Sequence, residues 1–146
     1  MKKDQYYLDK SLGYKLFQGS RLMNNRLNRN FKVNGFLITY EQWQILSRLY
    51  HRDGQTQNEL AISNERDQAS VSRLINNMIK GNLVKRVSQK DDRRINLIFL
   101  TKDAIEVREV LEGLASKTIQ QASDGVSQED LEITLRTLDR IRKNLS

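Results

Sequence analysis

Between Val71 and Leu100 the hydrophobic period changes once, and that change restricts the fold more than any other feature of the chain. Val71, Leu74, Ile75 and Met78 recur at i, i+3, i+4 and i+7, the spacing of one buried helix face. Gly81 is placed to stop that helix as its C′ residue. Beyond it, Leu83–Val87 and Ile95–Leu100 read as two strands rich in β-formers, with polar Ser88–Arg94 as the tip between them. A helix running directly into a β-hairpin is therefore expected.

Helical patterns fill the rest. Proline is absent and glycine totals only 7, which disfavours an all-β sandwich with its many turns. A first helix is expected over Asp4–Asn30, apolar on more than one side through Leu8, Leu12, Leu16, Phe17, Leu22, Met23 and Leu27. Phe31–Ile38, holding Gly35, reads as an irregular connector. Thr39-Tyr40-Glu41-Gln42 is a capping-box pattern opening a second helix with Trp43, Ile45, Leu46 and Leu49, ended by Asp53-Gly54. A second box, Thr56-Gln57-Asn58-Glu59, opens a short helix, and Asp67 caps the next. Thr101 is expected to cap one long helix reaching about Ser123. A last helix after Ser127 carries Leu131, Leu135, Leu138 and Leu145 at near-heptad spacing, with Ile141 beside them. Leucine stripes usually pack within a fold, but here both terminal helices need partners, which points to a dimer.

Charge and composition narrow the function. With 146 residues the chain is one domain in size and can bury a core without metals or disulfides. There is no cysteine and a single histidine, His51, so thiolate zinc sites, redox cysteines and histidine clusters are excluded. The lone His51 gives no pattern for a Ser-His-Asp set and no phosphate-cradling glycine loop occurs, so neither an enzyme nor a cofactor is expected. No apolar run is long enough for a membrane span, and Met1-Lys2-Lys3-Asp4 is charged with no apolar stretch behind it, so a cytoplasmic protein is expected. The net charge of +7 is uneven: residues 67–102 hold 8 basic and 3 acidic residues, whereas residues 103–146 hold 6 basic and 9 acidic. A localised basic patch is the footprint of a nucleic-acid binder.

Helix–turn–helix followed by two strands is the layout of a winged helix, whose one helix fits a major groove while the hairpin reaches an adjacent minor groove. On the helix from Asp67, the side chains of Gln68, Ala69, Ser72, Arg73 and Asn76 fall outside the core stripe, with Ser70 at its edge. Arg73 suits guanine, Gln68 or Asn76 suits adenine, and Ala69 suits a thymine methyl. Any isolated helix has a solvated polar face, but this one carries no carboxylate from Gln68 to Asn82. At the hairpin tip, Lys90, Asp92, Arg93 and Arg94 supply charge, and an aspartate two residues before Arg94 is placed to hold it for a narrow minor groove.

Leu60-Ala61, Asp67-Gln68-Ala69-Ser70-Val71-Ser72-Arg73-Leu74, Gly81-Asn82-Leu83-Val84-Lys85-Arg86, Asp92-Arg93-Arg94 and Leu100-Thr101 together closely resemble the MarR family of bacterial transcriptional regulators, in order and spacing. The resemblance covers nearly the whole chain. It implies a mainly α (α+β) fold: a winged helix-turn-helix with a two-stranded wing at residues 39–101, and long dimerisation helices at 1–34 and 102–146, all within a single domain of residues 1–146. It further implies a homodimer on double-stranded DNA, with the helix from Asp67 in the major groove and Arg94, supported by Asp92, in the minor groove. Many members bind small aromatic or phenolic effectors that lower DNA affinity. Tyr14, Phe17 and Arg21 with Trp43 and Leu46 are the candidate pocket here, an aromatic wall with one cation suited to an aromatic carboxylate. The sequence departs from the family where Asn64-Glu65-Arg66 lacks the frequent glycine, where the wing lacks a proline after the aspartate, and at Ala104, where glycine is usual. Without cysteine, the thiol-based peroxide sensing of some relatives is ruled out. An architectural DNA binder without a preferred operator, and a winged-helix module that binds protein, remain alternatives.

Overall fold

The computed structural model describes residues 5–146. The expected start of the first helix at Asp4 lies outside them. A single 3₁₀ turn at Leu8–Lys10 precedes helix α1 (Leu12–Val33). The helix begins later than expected because Ser11 is its cap: the Ser11 hydroxyl accepts from the Tyr14 N–H. It also runs past Asn30, and Gly35 at φ +88° closes it with a Phe36 N–H to Phe31 carbonyl bond.

Helix α2 (Tyr40–His51) opens on the full Thr39/Gln42 box. The chain then forms β1 (Gln55–Thr56), α3 (Gln57–Ser63), α4 (Gln68–Lys80), β2 (Val84–Ser88) and β3 (Asn96–Leu100). The Thr56 box is half made: its hydroxyl accepts from the Glu59 N–H, but the Glu59 carboxylate turns to Arg52 at 2.6 Å. Strand β1 is too short for any alternation to announce it. It pairs antiparallel with β3, Gln55 opposite Ile98, so the sheet has three strands in the order β1-β3-β2. Asp53 ties this edge down, its Oδ1 accepting from the Gly54 and Leu100 N–H groups.

Helix α4 ends differently from expectation. Gly81 has φ −83° and is the cap itself, while Asn82 takes the left-handed position at φ +58°. The Leu83 N–H then bonds the Met78 carbonyl, and the Asn82 N–H that of Ile79, so the helix closes in a Schellman turn. Glu65 (φ +52°) does the same for α3, at the turn where the related family often has glycine.

The single long helix expected after Thr101 is two: α5 (Lys102–Glu106) and α6 (Arg108–Ala122), broken at Val107. At the break the Tyr50 phenol donates to the Ala104 carbonyl, the group an unbroken helix would offer to the Arg108 N–H. Helix α7 (Gln128–Leu145) follows, capped by Ser127. No helix among the described residues is long and apolar enough to cross a membrane.

The core lies under α2, α3, α4 and the sheet and extends to α1 and α6 through Leu27, Phe31 and Leu111. Phe31, Ile45, Leu46, Leu60, Ile75, Met78 and Ile98 are fully buried. The outer helices are different. Leu12, Leu16, Phe17 and Leu22 on α1, and Leu135, Leu138 and Leu145 on α7, are exposed within the protomer.

Candidate nucleic-acid interface

Helix α4 buries Val71, Ile75 and Met78 and turns Gln68, Ala69, Arg73 and Asn76 outward. Ser70 and Ser72 are half-buried at the margin of that face. Ser70 is committed to the cap. Its N–H and hydroxyl both donate to the Asp67 carboxylate, each at 2.8 Å, and hold that carboxyl below its usual pKa. Its oxygen also receives Arg73 Nη2 at 3.4 Å, so Ser70 orients Arg73 as much as it faces outward.

Two outward amides are likewise engaged. Gln68 Nε2 donates to Asn58 Oδ1 at 2.6 Å, which links the start of α4 to α3. Asn76 Oδ1 accepts from Arg86 Nη2 at 2.9 Å, and the same nitrogen reaches Gln57 Oε1 at 3.3 Å. Sequence pattern gave no sign of Arg86, which looks like any polar residue of an exposed strand face. It is half-buried, and its Nε has no partner among the described residues.

At the wing tip, Asp92 Oδ1 accepts both the Arg94 N–H (3.0 Å) and Arg94 Nε (3.2 Å), and Oδ2 is 3.4 Å from Nη2. These bonds hold the Asp92 carboxyl below the ordinary carboxylate range. The Arg94 side chain is nevertheless 92% exposed, so the clamp orients the guanidinium without hiding it. Lys90 and Arg93 flank it, both exposed. A cleft of about 360 Å³ lies between the wing root and the starts of α3 and α4, lined by Gln57, Asn58, Gln68, Arg94 and Asn96 among others.

The five residues expected to form an effector pocket do not line one cavity in the protomer. Tyr14 and Phe17 are neighbours, ring centroids 6.4 Å apart, on the outer half of α1, and Arg21 is exposed nearby. Leu46 lies at the bottom of the core. Only Trp43 borders a substantial groove, of about 320 Å³, together with Ser20, Met23, Asn24, Leu27, Tyr40, Ala115, Thr118 and Ile119. The groove lies here because α6 packs against the C-terminal half of α1, where Asn30 donates to Thr118 Oγ1 and Gln121 Oε1. Phe17 is 10 residues before Leu27, about 15 Å along the helix. Among the described residues, no charged side chain lines this groove. Among the described residues, no group of acidic or histidine side chains is placed to hold a metal ion.

Residues 38–95 match the model of the MarR family. Among curated proteins, the chain is 27% identical over 109 residues to the uncharacterised HTH-type transcriptional regulator YdgJ of Bacillus subtilis, covering 75% of this chain and 66% of that one. It is 25% identical over 138 residues to the HTH-type transcriptional regulator MgrA of Staphylococcus aureus, covering 94% and 92% of the two chains. Among solved structures, the S. aureus MepR–DNA complex superposes with a TM-score of 0.83 at 28% identity, over 93% of this chain and 98% of that one.

Proposed function

The chain belongs to the MarR family of winged-helix transcriptional regulators, and from that premise we propose that it represses transcription as a homodimer that reads a pseudo-palindromic operator. One observation carries the reading. The outward face of α4 has no carboxylate from Gln68 to Asn82, and beside it a wing arginine is held out in solvent by its own aspartate. An acid-free helix face next to an oriented guanidinium suits a phosphate-lined groove and its narrow neighbour. In this proposal Gln68, Ala69, Ser72, Arg73 and Asn76 face base edges, and Lys90, Arg93 and Arg94 meet the minor groove and its phosphates.

The exposed leucines of α1 and α7 supply the dimer contact, which makes residues 39–101 the DNA-binding part and the flanking helices the dimerising part. The groove between α1, α2 and α6 is the effector site in this reading. Its aromatic and amide lining, without a cation, suits a neutral aromatic molecule with a hydroxyl or carbonyl group better than the carboxylate expected from Arg21. Since its target is DNA, the working compartment is the cytoplasm.

The decisive experiment is selection of bound fragments from genomic DNA, followed by footprinting across a salt series. Two protected half-sites about 10 bp apart, with affinity falling as salt rises, are expected. Equal retention of random and genomic DNA would sink the operator-reading proposal.

A further inference from the structure

Asn76 faces outward from the middle of α4, where a free amide would read adenine by accepting from N6 and donating to N7. That scheme needs both ends of the amide. In this chain the oxygen end already accepts a hydrogen bond that fixes its direction. Arg86 Nη2 lies 2.9 Å from the Asn76 amide, and a guanidinium has only donors to offer. The amide atom facing Arg86 must therefore be the oxygen, whatever the amide would choose in isolation. Arg86 cannot easily swing away, because it is half-buried on β2 and its Nη2 also bonds Gln57 Oε1 at the start of α3. Its buried Nε has no partner among the described residues.

We propose that Arg86 sets the hydrogen-bond polarity of Asn76, so that α4 turns the N–H₂ donor of that amide toward the groove and favours guanine over adenine there. This inference rests on the DNA-reading proposal above and specifies one of its contacts. Guanine offers two adjacent acceptors, O6 and N7, in the major groove. Thymine offers one, O4. Adenine offers the single acceptor N7 with its own N6 donor beside it, and cytosine offers only a donor at N4. Arg86 is a positioning residue: it touches Asn76 and Gln57 and acts on DNA through them.

The test is operator selection from a randomised duplex library with wild-type protein and with N76A, R86M, R86K and N76D. The N76A variant identifies the base position, as the one in each half-site whose preference disappears. At that position the wild type is expected to favour guanine over adenine by roughly tenfold or more. R86K, which still supplies only donors, keeps that preference. R86M frees the amide to turn and moves the preference toward adenine. A purely structural role for Arg86 would weaken all operators alike and leave the base preference unchanged. Should R86M fail to fold, N76D decides: its carboxylate keeps an acceptor toward Arg86 and presents an acceptor to the groove, so guanine preference is replaced by cytosine. Adenine at the wild-type position, an N76A variant that changes no position, or unchanged preference in folded R86M (or, failing that, N76D) overturns the inference while leaving DNA reading intact. Absence of any enriched sequence for the wild type overturns the DNA-reading proposal and this inference with it.

Discussion

The phenol of Tyr50 donates to the carbonyl oxygen of Ala104 at 2.5 Å, at the break between the helices Lys102–Glu106 and Arg108–Ala122. It joins α2, inside the winged part, to the point where the chain turns toward the outer helices. The Arg108 guanidinium lies over the same ring, 5.1 Å from its centroid. Tyr50→Phe keeps the ring and its cation but leaves the carbonyl without its donor, which is expected to cost about 1 kcal/mol of stability. Burial first, and the negative charge of Glu112 second, push Tyr50 up to about 12, with Arg108 opposing them. The folded state thus keeps the phenol protonated at a pH where an unfolded tyrosine, with its pKa of about 10, has lost its proton. The stabilising bond is fully present below about pH 10 and is lost as pH rises toward 12. Denaturant titrations at stepped alkaline pH should show the gap between wild type and Tyr50→Phe narrowing over that window. A constant gap would mean that the phenol does not govern this joint.

Gly54 ends the α2–β1 turn at φ +72°, and a Cβ there would lie 2.7 Å from Phe99 Cε1. Both the backbone and the space exclude a side chain. Gly54→Ala is expected to lower stability by about 2 kcal/mol, from the left-handed backbone and a displaced ring together. Thermal unfolding gives the magnitude, and a loss of less than half that size would show that Phe99 moves aside freely.

The proposed dimer depends on the outer helices. Leu138 is 38% exposed in the protomer and shares α7 with Leu135 and Leu145, which are more exposed still. A charge on that stripe would be buried by any partner helix packed against it. Leu138→Asp is expected to weaken dimerisation by roughly a hundredfold or more, with the winged part still folded. Sedimentation equilibrium reads the first effect and far-ultraviolet circular dichroism the second. A stable dimer of the variant would place the interface elsewhere.

Much of the architecture was legible because it is written in local chemistry. Thr39 and Asp67 cap their helices by reaching three residues ahead, and the helix from Asp67 buries the stripe that its spacing announces. What was not legible depends on residues far apart in the chain. The break at Val107 coincides with a bond from Tyr50, 54 residues before Ala104. Strand β1 exists because β3 offers Gln55 a partner. Even the α4 stop was misassigned by one residue, since Gly81 and Asn82 both tolerate the turn and only the Leu83 bond to Met78 decides between them. Periodicity correctly marked Leu46 as inward-facing, but it cannot separate a core position from a pocket wall. Exclusion from the core stripe singles out the candidate base-facing residues, and the internal bonds of Ser70, Gln68 and Asn76 lie beyond that logic.

Arg94 makes the sharpest claim on DNA binding. Asp92 holds it through Nε and Nη2 and also takes its N–H, so backbone and side chain are fixed together while the charge stays in solvent. Arg94→Ala is expected to reduce operator affinity by roughly tenfold or more and to make the salt dependence shallower by about one counterion per wing. The dimer should remain intact. Arg94→Lys separates charge from shape: a lysine keeps the charge but cannot reproduce the two-point hold on Asp92, so it should restore the salt slope without the full affinity. Asp92→Ala leaves the arginine free to wander and should fall between wild type and Arg94→Ala. Because the Asp92 carboxyl is held low, it stays charged above the ordinary carboxylate pKa and loses the clamp only as pH falls below about 4. Operator affinity should therefore show no contribution from Asp92 titration between pH 6 and 8, where binding is measured. If Arg94→Lys binds the operator as tightly as wild type, the wing contributes charge alone and the Asp92 clamp has no part in recognition.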